Sequence, residues 1–269
     1  MLNPYRLKEL TLFDFYYSLT SLKSLAFIIP YFLFWYLIFD NVSLLAVEWL
    51  QSTEGFFFAS WLLDDQDLAL ELFVDRSASL SLYLLVSITL TPMFILLAAN
   101  NQYSSDATRG AFRFLLMRAT RAEIYLSRFI AVSLLVLICI SITSLWASVQ
   151  ALLNNEDKLK AIMLFGLQTF TIVFIYSLPF IAFMSMISSF ARSAFGSLFL
   201  GMMFYVLLVL TSFWLKSDIS VAIYLIPSGL KSILIDINPE NILIGVTALC
   251  AYTLFYFLCG WHIFKRRDI

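Results

Sequence analysis

The sequence is poor in charge, glycine and histidine, and these shortages exclude several classes of protein. Only 13% of its 269 residues are charged, whereas 61% are apolar. A water-soluble domain of this length could not bury so much apolar surface, so we expect lipid to be its solvent. None of the eight glycines is followed by lysine, so the chain has no phosphate-binding loop of the Walker A type. If the protein uses ATP, the nucleotide binds to another chain.

Catalytic and metal-binding patterns are also missing. The single histidine, His262, forms no HExxH motif, and Cys139, Cys250 and Cys259 lie in apolar runs without CxxC spacing. Ser228 and His262 could suggest the serine–histidine pair of an intramembrane protease. The predicted topology places them about 30 Å apart, at opposite faces of the bilayer. We therefore expect no enzyme activity, no metal and no cofactor in this chain, and no cleaved signal peptide.

Long apolar runs predict an all-α integral membrane protein with six spans. Pro92 and Pro179 fall inside the second and fourth spans, where we expect kinks. The whole chain, residues 1–269, is treated as one membrane domain. The six predicted spans are Leu22–Phe39, Ser79–Ala99, Ser127–Ala147, Ala161–Met186, Ala194–Trp214 and Ile242–Phe264.

The charges divide unequally between the two sides of this topology. The side with both termini, residues 100–128 and Arg192 holds 12 Lys/Arg and 5 Asp/Glu, a net of +7. The other side, formed by residues 40–78, 148–160 and 215–241, holds 5 Lys/Arg and 13 Asp/Glu, a net of −8; the two sum to −1. The excess of positive charge in short cytoplasmic loops predicts that both termini face the cytoplasm.

The external segment 40–78 is acidic and aromatic, with eight carboxylates against the single cation Arg76. Aromatic residues beside acidic ones indicate amphipathic helices at the outer membrane interface. One interpretation is an acidic mouth that collects a cationic substrate or binds an extracytoplasmic partner. The other, which we favour, is a solvated loop whose charge reflects its side of the membrane.

Five arginines lie within 20 residues in the segment SSDATRGAFRFLLMRATRAEIYLSRF, residues 104–129. Ser104 or Ser105 could cap a helix whose apolar stripe contains Phe112 and the pair Leu115-Leu116. A break is expected at Ala119-Thr120. Thr120 would cap the next helix, with Glu123 completing a capping box. The arginines could serve only to fix topology, or the short helix could fill a groove on a partner protein.

This segment resembles a loop of the permease subunits of ABC-2 type transporters. That loop reads as an acidic residue, Gly-Thr, Leu-Leu and then a Pro-x-Ser-Arg-like turn. Asp106, Arg109-Gly110, Leu115-Leu116 and Arg118-Ala119-Thr120-Arg121 stand near these positions; the proline is absent and Ala111 replaces the threonine. Arg6-Leu7-Lys8-Glu9-Leu10 is similar to the start of the family's elbow helix. Tyr224-Leu225-Ile226-Pro227 is similar to the external segment before its last span.

The resemblance implies a single permease domain with an N-terminal elbow helix (1–21) and a cytoplasmic coupling helix (104–122). It also implies a cytoplasmic ABC ATPase, a second permease subunit (the same chain or a paralogue) and membrane lipids as partners. A bacterial inner membrane is the expected location, with export the favoured direction and no nucleic acid involved. The residues expected to couple to the ATPase are Arg109, Gly110, Phe112, Arg113, Leu115, Leu116, Arg118, Thr120 and Arg121, and those of the elbow helix are Lys8 and Glu9.

A second function class stays open from the sequence. A membrane subunit that only scaffolds or signals for a partner would show the same composition and the same basic loop. A transporter should stimulate ATP hydrolysis by its partner in the presence of cargo, whereas a scaffold should bind its partner without such turnover.

Overall fold

The structure is a computed structural model that describes residues 3–42, 57, 60, 72, 76–104, 111–154, 157–215, 227–235 and 239–267. Within these ranges the chain is helical and contains no strand. The helices are α1 (Pro4–Thr20), α2 (Leu22–Leu37), α3 (Ala78–Ala98), α4 (Ala111–Leu116), α5 (Arg121–Leu153), α6 (Leu159–Phe190), α7 (Ala194–Leu215), α8 (Lys231–Ile235) and α9 (Pro239–Arg266). A π-helical turn (Ile38–Val42) follows α2, and a 3₁₀ turn (Pro227–Leu230) precedes α8.

Five of these helices are long and apolar enough to cross a membrane: α3, α5, α6, α7 and α9. They correspond to the second to sixth predicted spans. The first predicted span coincides with α2, which has 16 residues and is too short to count as a membrane-spanning helix on its own. The helices α1 and α2 qualify only when taken together as a pair bent by 63°.

The centre of the bundle is α6, which packs most extensively against α9 and also against α5 and α3. Two thirds of the most apolar stretch of α3 and of α6 is buried, compared with 11% for α7 and 17% for α9. The last two helices therefore present most of their apolar surface outward. Gly201 of α7 lies against Met184 of α6, but α6 packs more extensively against α9 than against α7.

Three polar side chains inside the bundle are paired with one another. The hydroxyls of Tyr31 and Tyr83 lie 3.3 and 3.0 Å from the Thr143 hydroxyl, which itself donates to the Cys139 carbonyl. Such pairing matters because hydrocarbon offers no water to satisfy a hydroxyl. The helices α3 and α6 continue through Pro92 and Pro179, respectively.

Candidate functional site

The connection between α3 and α5 contains the residues that the sequence singled out. Its described parts are residues 99–104 and 111–120. The first part turns away from α3, and the second consists of the short helix α4, a turn and the extended residue Thr120. The connection meets α1 and the ends of α6 and α9, so that several chain segments converge at one end of the bundle.

Four buried aromatic side chains lie beneath α4, and we call them the aromatic cluster: Tyr103, Phe112, Tyr125 and Phe264. The rings of Tyr103 and Tyr125 are stacked with centroids 5.1 Å apart, and the Tyr103 hydroxyl donates to the Tyr125 carbonyl at 2.8 Å. Phe112 meets Phe264 edge-on at 5.5 Å. Because these rings come from α4, α5, α9 and the end of α3, the cluster fixes α4 to the ends of the long helices.

Phe112 itself is fully buried, with no exposed surface. The Arg128 guanidinium lies 5.2 Å from the centre of its ring, within the range of a cation–π contact. The sequence predicted that Phe112 would enter a groove on a partner. The structure places this side chain in the interior of its own chain, where it positions α4.

A different set of residues faces outward, and we call it the outer face: Arg113, Phe114, Met117 and Arg118. All four are exposed, and 71% of Phe114 and 75% of Met117 are accessible. Leu115 and Leu116 are half-buried and pack against the aromatic cluster. The outer face thus combines two large exposed apolar side chains with two exposed cations.

The break after α4 and the start of α5 are as the sequence predicted. Thr120 is the N-cap of α5: its hydroxyl accepts from the Glu123 amide at 3.3 Å, and its own amide donates to the Glu123 carboxylate at 2.8 Å. This reciprocal pair confirms the predicted capping box. The other oxygen of Glu123 accepts from the Asn3 amide at 2.9 Å, so the same carboxylate also holds the start of α1.

Arg121 uses its guanidinium inside the chain. One nitrogen, Nη1, donates to the carbonyls of Phe264, Lys265 and Arg267 at 3.5, 2.6 and 2.9 Å. These carbonyls end α9 and have no helical partner of their own, and the helix dipole makes that end partly negative. Arg121 therefore caps α9.

Two more arginines act in the same way. Arg267 donates to the carbonyls of Ser189 and Ala191 at the end of α6, at 2.7 and 2.9 Å. Partial burial, and next the charge of Arg192, lower the pKa of Arg267. Arg128 donates to the Gln102 carbonyl just after α3 at 2.5 Å. Arginine side chains therefore donate to backbone carbonyls at the ends of α9 and α6 and just after the end of α3.

The helix α1 lies along α5 and is tied to the connection. The Arg6 guanidinium donates to the Arg118 carbonyl at 3.1 Å, and Asn3 caps the helix through its side chain. Lys8 and Glu9 are exposed on α1. Several of its large side chains are exposed as well: Tyr5, Leu12, Phe13, Tyr16 and Tyr17.

Most of the predicted coupling residues therefore lie close together, but only some of them are exposed. Phe112, Thr120 and Arg121 make contacts within the chain, whereas Arg113 and Arg118 are on the outer face. Arg109 and Gly110 lie outside the described residues. Sequence reasoning missed Phe114 and Met117, whose signal was their spacing of three on the face opposite Phe112. It also missed the capping role of Arg267, because its partners are backbone carbonyls, which every residue has and which the sequence therefore cannot identify.

The opposite end of the bundle is described only in part. In the acidic segment 40–78, the seven carboxylate residues from Glu48 to Asp75 and most of the interleaved aromatic residues lie outside the described residues. The Tyr224–Ile226 segment also lies outside them. Arg76 stacks over the Phe165 ring at 4.8 Å. Burial lowers the pKa of Lys231 in α8. Among the described residues, no group of three or more His, Cys, Asp or Glu side chains could hold a metal ion.

Comparison with known proteins gives one finding. A family model described as "Protein of unknown function (DUF2705)" matches residues 64–269, which is well over half of the chain. No curated protein matches the chain. The matched range includes α3 to α9, the aromatic cluster and the outer face.

Proposed function

We propose that this chain, which belongs to the DUF2705 family, is the membrane-spanning subunit of an ATP-driven transporter of the ABC-2 type. In this proposal α1 is the elbow helix, and α2 with the π-helical turn that follows it forms the first of six spans. The α3–α5 connection carries the coupling helix. The basic end of the bundle faces the cytoplasm of a bacterium, and export is the favoured direction.

The observation that carries the proposal is the outer face. An exposed surface of this kind is an interaction site when large apolar side chains lie beside arginines, which are enriched among residues that dominate binding. Arg113 and Arg118 can fork onto carboxylates of a partner while Phe114 and Met117 enter a groove. The four residues stand at the tip of the connection, where a peripheral protein could reach them.

Rigid attachment supports a role in coupling rather than in mere docking. A force on α4 would act through Phe112 on Phe264 of α9 and through the capping box on α5. Arg121 joins α5 to the end of α9, and Arg267 joins α9 to the end of α6. Movement of a bound ATPase would therefore tilt several long helices together, as rigid-body switching requires.

The arrangement of apolar surface supports a second permease subunit. The helices α7 and α9 expose most of their apolar side chains, more than α3, α5 or α6. In a transporter of this type the pathway lies between two such subunits, which would be copies of this chain or a paralogue. Hydrolysis of ATP occurs in the separate ATPase.

The test compares two matched double variants in the protein purified with its native partners in mild detergent. Arg113→Glu with Phe114→Ala alters the outer face. Lys160→Glu with Leu159→Ala removes an exposed cation and an exposed apolar residue from the opposite end of the bundle. We expect a nucleotide-binding protein to copurify with the wild type and with the second variant, and to bind the first about thirtyfold more weakly.

Each other outcome rejects a defined part of the proposal. Equal ATPase binding by both variants would exclude the outer face as the docking site. A copurifying partner without ATPase activity would favour the scaffold function. If no partner binds, the arginines serve topology and helix capping alone.

A further inference from the structure

One exposed side of α9 passes from apolar residues into cations, and we call it the α9 stripe. Its members recur every three or four residues, so they share one side of the helix. Each of its three apolar members is between 58% and 60% exposed, and its three polar members are exposed as well. The members are Leu254, Phe255, Leu258, His262, Lys265 and Arg266.

The two cations of the stripe, Lys265 and Arg266, are not needed to end α9. Cations in the last turn of a helix balance its partly negative C-terminus. Arg121 already does so, because it donates to the carbonyls of Lys265 and Arg267 at 2.6 and 2.9 Å. In the part of the chain that the structure describes, the side chains of Lys265 and Arg266 make no hydrogen bond or ion pair with another residue. Both charges are therefore available to a ligand.

The surroundings of these two cations are also positive. Arg267 donates to the end of α6, and the charge of Arg192 is one of the causes that lower the pKa of Arg267, after partial burial. The sequence continues with Asp268, and residues 265–268 carry three cations and one carboxylate, a net charge of +2. An anionic group is therefore the electrostatic complement of this end of α9.

The length of the α9 stripe matches one leaflet of a bilayer. From Leu254 to Lys265 the helix rises by about 16 Å, which is about half of the roughly 30 Å hydrocarbon core. The apolar part of the stripe therefore lies at the depth of acyl chains, and the cations lie at the level of headgroups. A peripheral protein could reach only the charged end, whereas a phospholipid would cover both parts.

Charge also favours a lipid over a second copy of this chain. A two-fold contact uses the same patch on both subunits, so a copy packed on the α9 stripe would place Lys265 and Arg266 beside their own equivalents. Like charges repel at such distances. The second subunit of the proposed transporter therefore fits α7, which is also mostly exposed, better than this end of α9.

We propose that the α9 stripe binds an anionic phospholipid of the leaflet at the basic end of the bundle. The phosphate accepts from Lys265 and Arg266, and an acyl chain lies along Leu254 and Leu258. The headgroup carries a net negative charge, because the ammonium of a zwitterionic headgroup would lie close to the same cations. This site is separate from the outer face and does not depend on the transporter proposal.

The experiment is native mass spectrometry of the full chain, with any copurifying partner, after titration with one lipid at a time. The lipids are phosphatidylglycerol, which is anionic, and phosphatidylethanolamine, which is zwitterionic. We expect phosphatidylglycerol to be retained with about tenfold preference, because each cation near the membrane surface adds to the attraction of an anionic headgroup. Equal retention of the two lipids would overturn the proposal.

Two matched double variants locate the headgroup. Lys265→Gln with Arg266→Gln should abolish the preference for phosphatidylglycerol and still melt with the wild type, because Arg121 caps α9 through backbone carbonyls. Lys158→Gln with Lys160→Gln removes two exposed cations from the opposite end of the bundle and should keep the preference. Equal loss in both variants would mean that overall charge, rather than this site, attracts the lipid. A changed share of dimer with unchanged lipid retention would make the stripe a subunit interface and overturn the proposal.

Two single variants locate the acyl chain. Leu258→Ala shortens an apolar side chain of the stripe and should weaken retention of phosphatidylglycerol about threefold. Leu164→Ala makes the same change at a comparably exposed position of α6, near the opposite end of the bundle, and should leave retention unchanged. Equal retention by the two variants would exclude the α9 stripe as the path of the chain.

Soluble glycerophosphoglycerol distinguishes a membrane lipid from a free phosphodiester. We expect it to displace phosphatidylglycerol only at concentrations at least about a hundredfold higher, because the acyl chains add apolar contact. Displacement by the soluble compound at equal concentration would overturn the assignment to a membrane lipid.

Discussion

Arg113 and Arg121, both in the basic segment, have different surroundings. Arg113 is exposed on the outer face, whereas Arg121 donates to three carbonyls at the end of α9. The same side chain can thus serve a partner at one position and the chain itself at another. The count of five arginines, taken from the sequence, does not distinguish the two uses.

Removal of the Arg121 guanidinium should destabilise the protein. In Arg121→Gln the carbonyls of Lys265 and Arg267 lose a charged donor, at a cost of about 1–3 kcal/mol. For a chain of this size that corresponds to roughly 2–4 °C in Tm for each kcal/mol. Thermal unfolding in detergent measures the shift. Arg113→Gln is the control and should melt with the wild type; equal shifts in the two variants would show that Arg121 caps nothing.

The Glu123 carboxylate should stabilise both the start of α5, through the capping box, and the start of α1, through the Asn3 amide. Glu123→Ala removes the capping box and the contact with the Asn3 amide, so we expect a loss of about 1 kcal/mol and faster hydrogen exchange in α1. Glu123→Gln keeps a single acceptor oxygen, which can serve the Thr120 amide or the Asn3 amide but not both, and should retain part of the protection. Hydrogen exchange followed by mass spectrometry reports both regions. Protection of α1 in the alanine variant at the wild-type level would exclude the tether.

At the scale of the elements, the contact between α6 and α9 depends on Gly260. A Cβ at this position would lie 2.8 Å from the Met186 Cα and would also collide with the Tyr125 hydroxyl. Backbone cannot yield as a flexible side chain can. The glycine therefore allows the two helices to approach closely, as small residues do in membrane bundles.

Gly260→Ala should therefore cost about 1–3 kcal/mol through overpacking. The matched control is Gly196→Ala at the start of α7, where a Cβ would meet only the Ser193 hydroxyl, at 3.0 Å. Thermal unfolding of both variants in detergent tests the contrast. If the two melt alike, α6 and α9 do not pack as closely as described.

The limits of sequence reasoning are also clearest for the elements. The capping box at Thr120 and Glu123 was predictable because its partners are three residues apart. The burial of Phe112 was not, because α4 has only six residues and its inward side is decided by Phe264, far along the chain. The caps made by Arg121 and Arg267 escaped prediction because carbonyl groups are the same in every residue. Five long apolar helices were predictable from composition alone.

For the whole molecule, the uneven charge distribution predicts which side faces out. Arg6, Arg121 and Arg267 lie at one end of the bundle, while Asp157 and Lys158 lie between α5 and α6 at the other. The positive-inside bias predicts that the first end faces the cytoplasm. This arrangement holds whether the protein transports or scaffolds.

Labelling of single cysteines tests this orientation. After replacement of Cys139, Cys250 and Cys259, an impermeant maleimide should modify Asp157→Cys in intact cells. It should modify Arg113→Cys only once the membrane is opened; both positions are exposed in the structure. The reverse pattern would invert the topology and remove a cytoplasmic ATPase from consideration.

The cap on α9 also bears on the order in which the protein is made. Synthesis runs from the N-terminus, so Arg121 enters the membrane region long before the carbonyls of Lys265 and Arg267 exist. Until then the end of α5 that holds Arg121 lacks its partner, and Phe112 lacks Phe264. The contacts that fix α4 therefore form only after α9 has been synthesised. If synthesis stops before α9 is made, the outer face lacks the Phe112–Phe264 contact that supports it, so any protein that binds there would meet a rigid surface only once α9 is present.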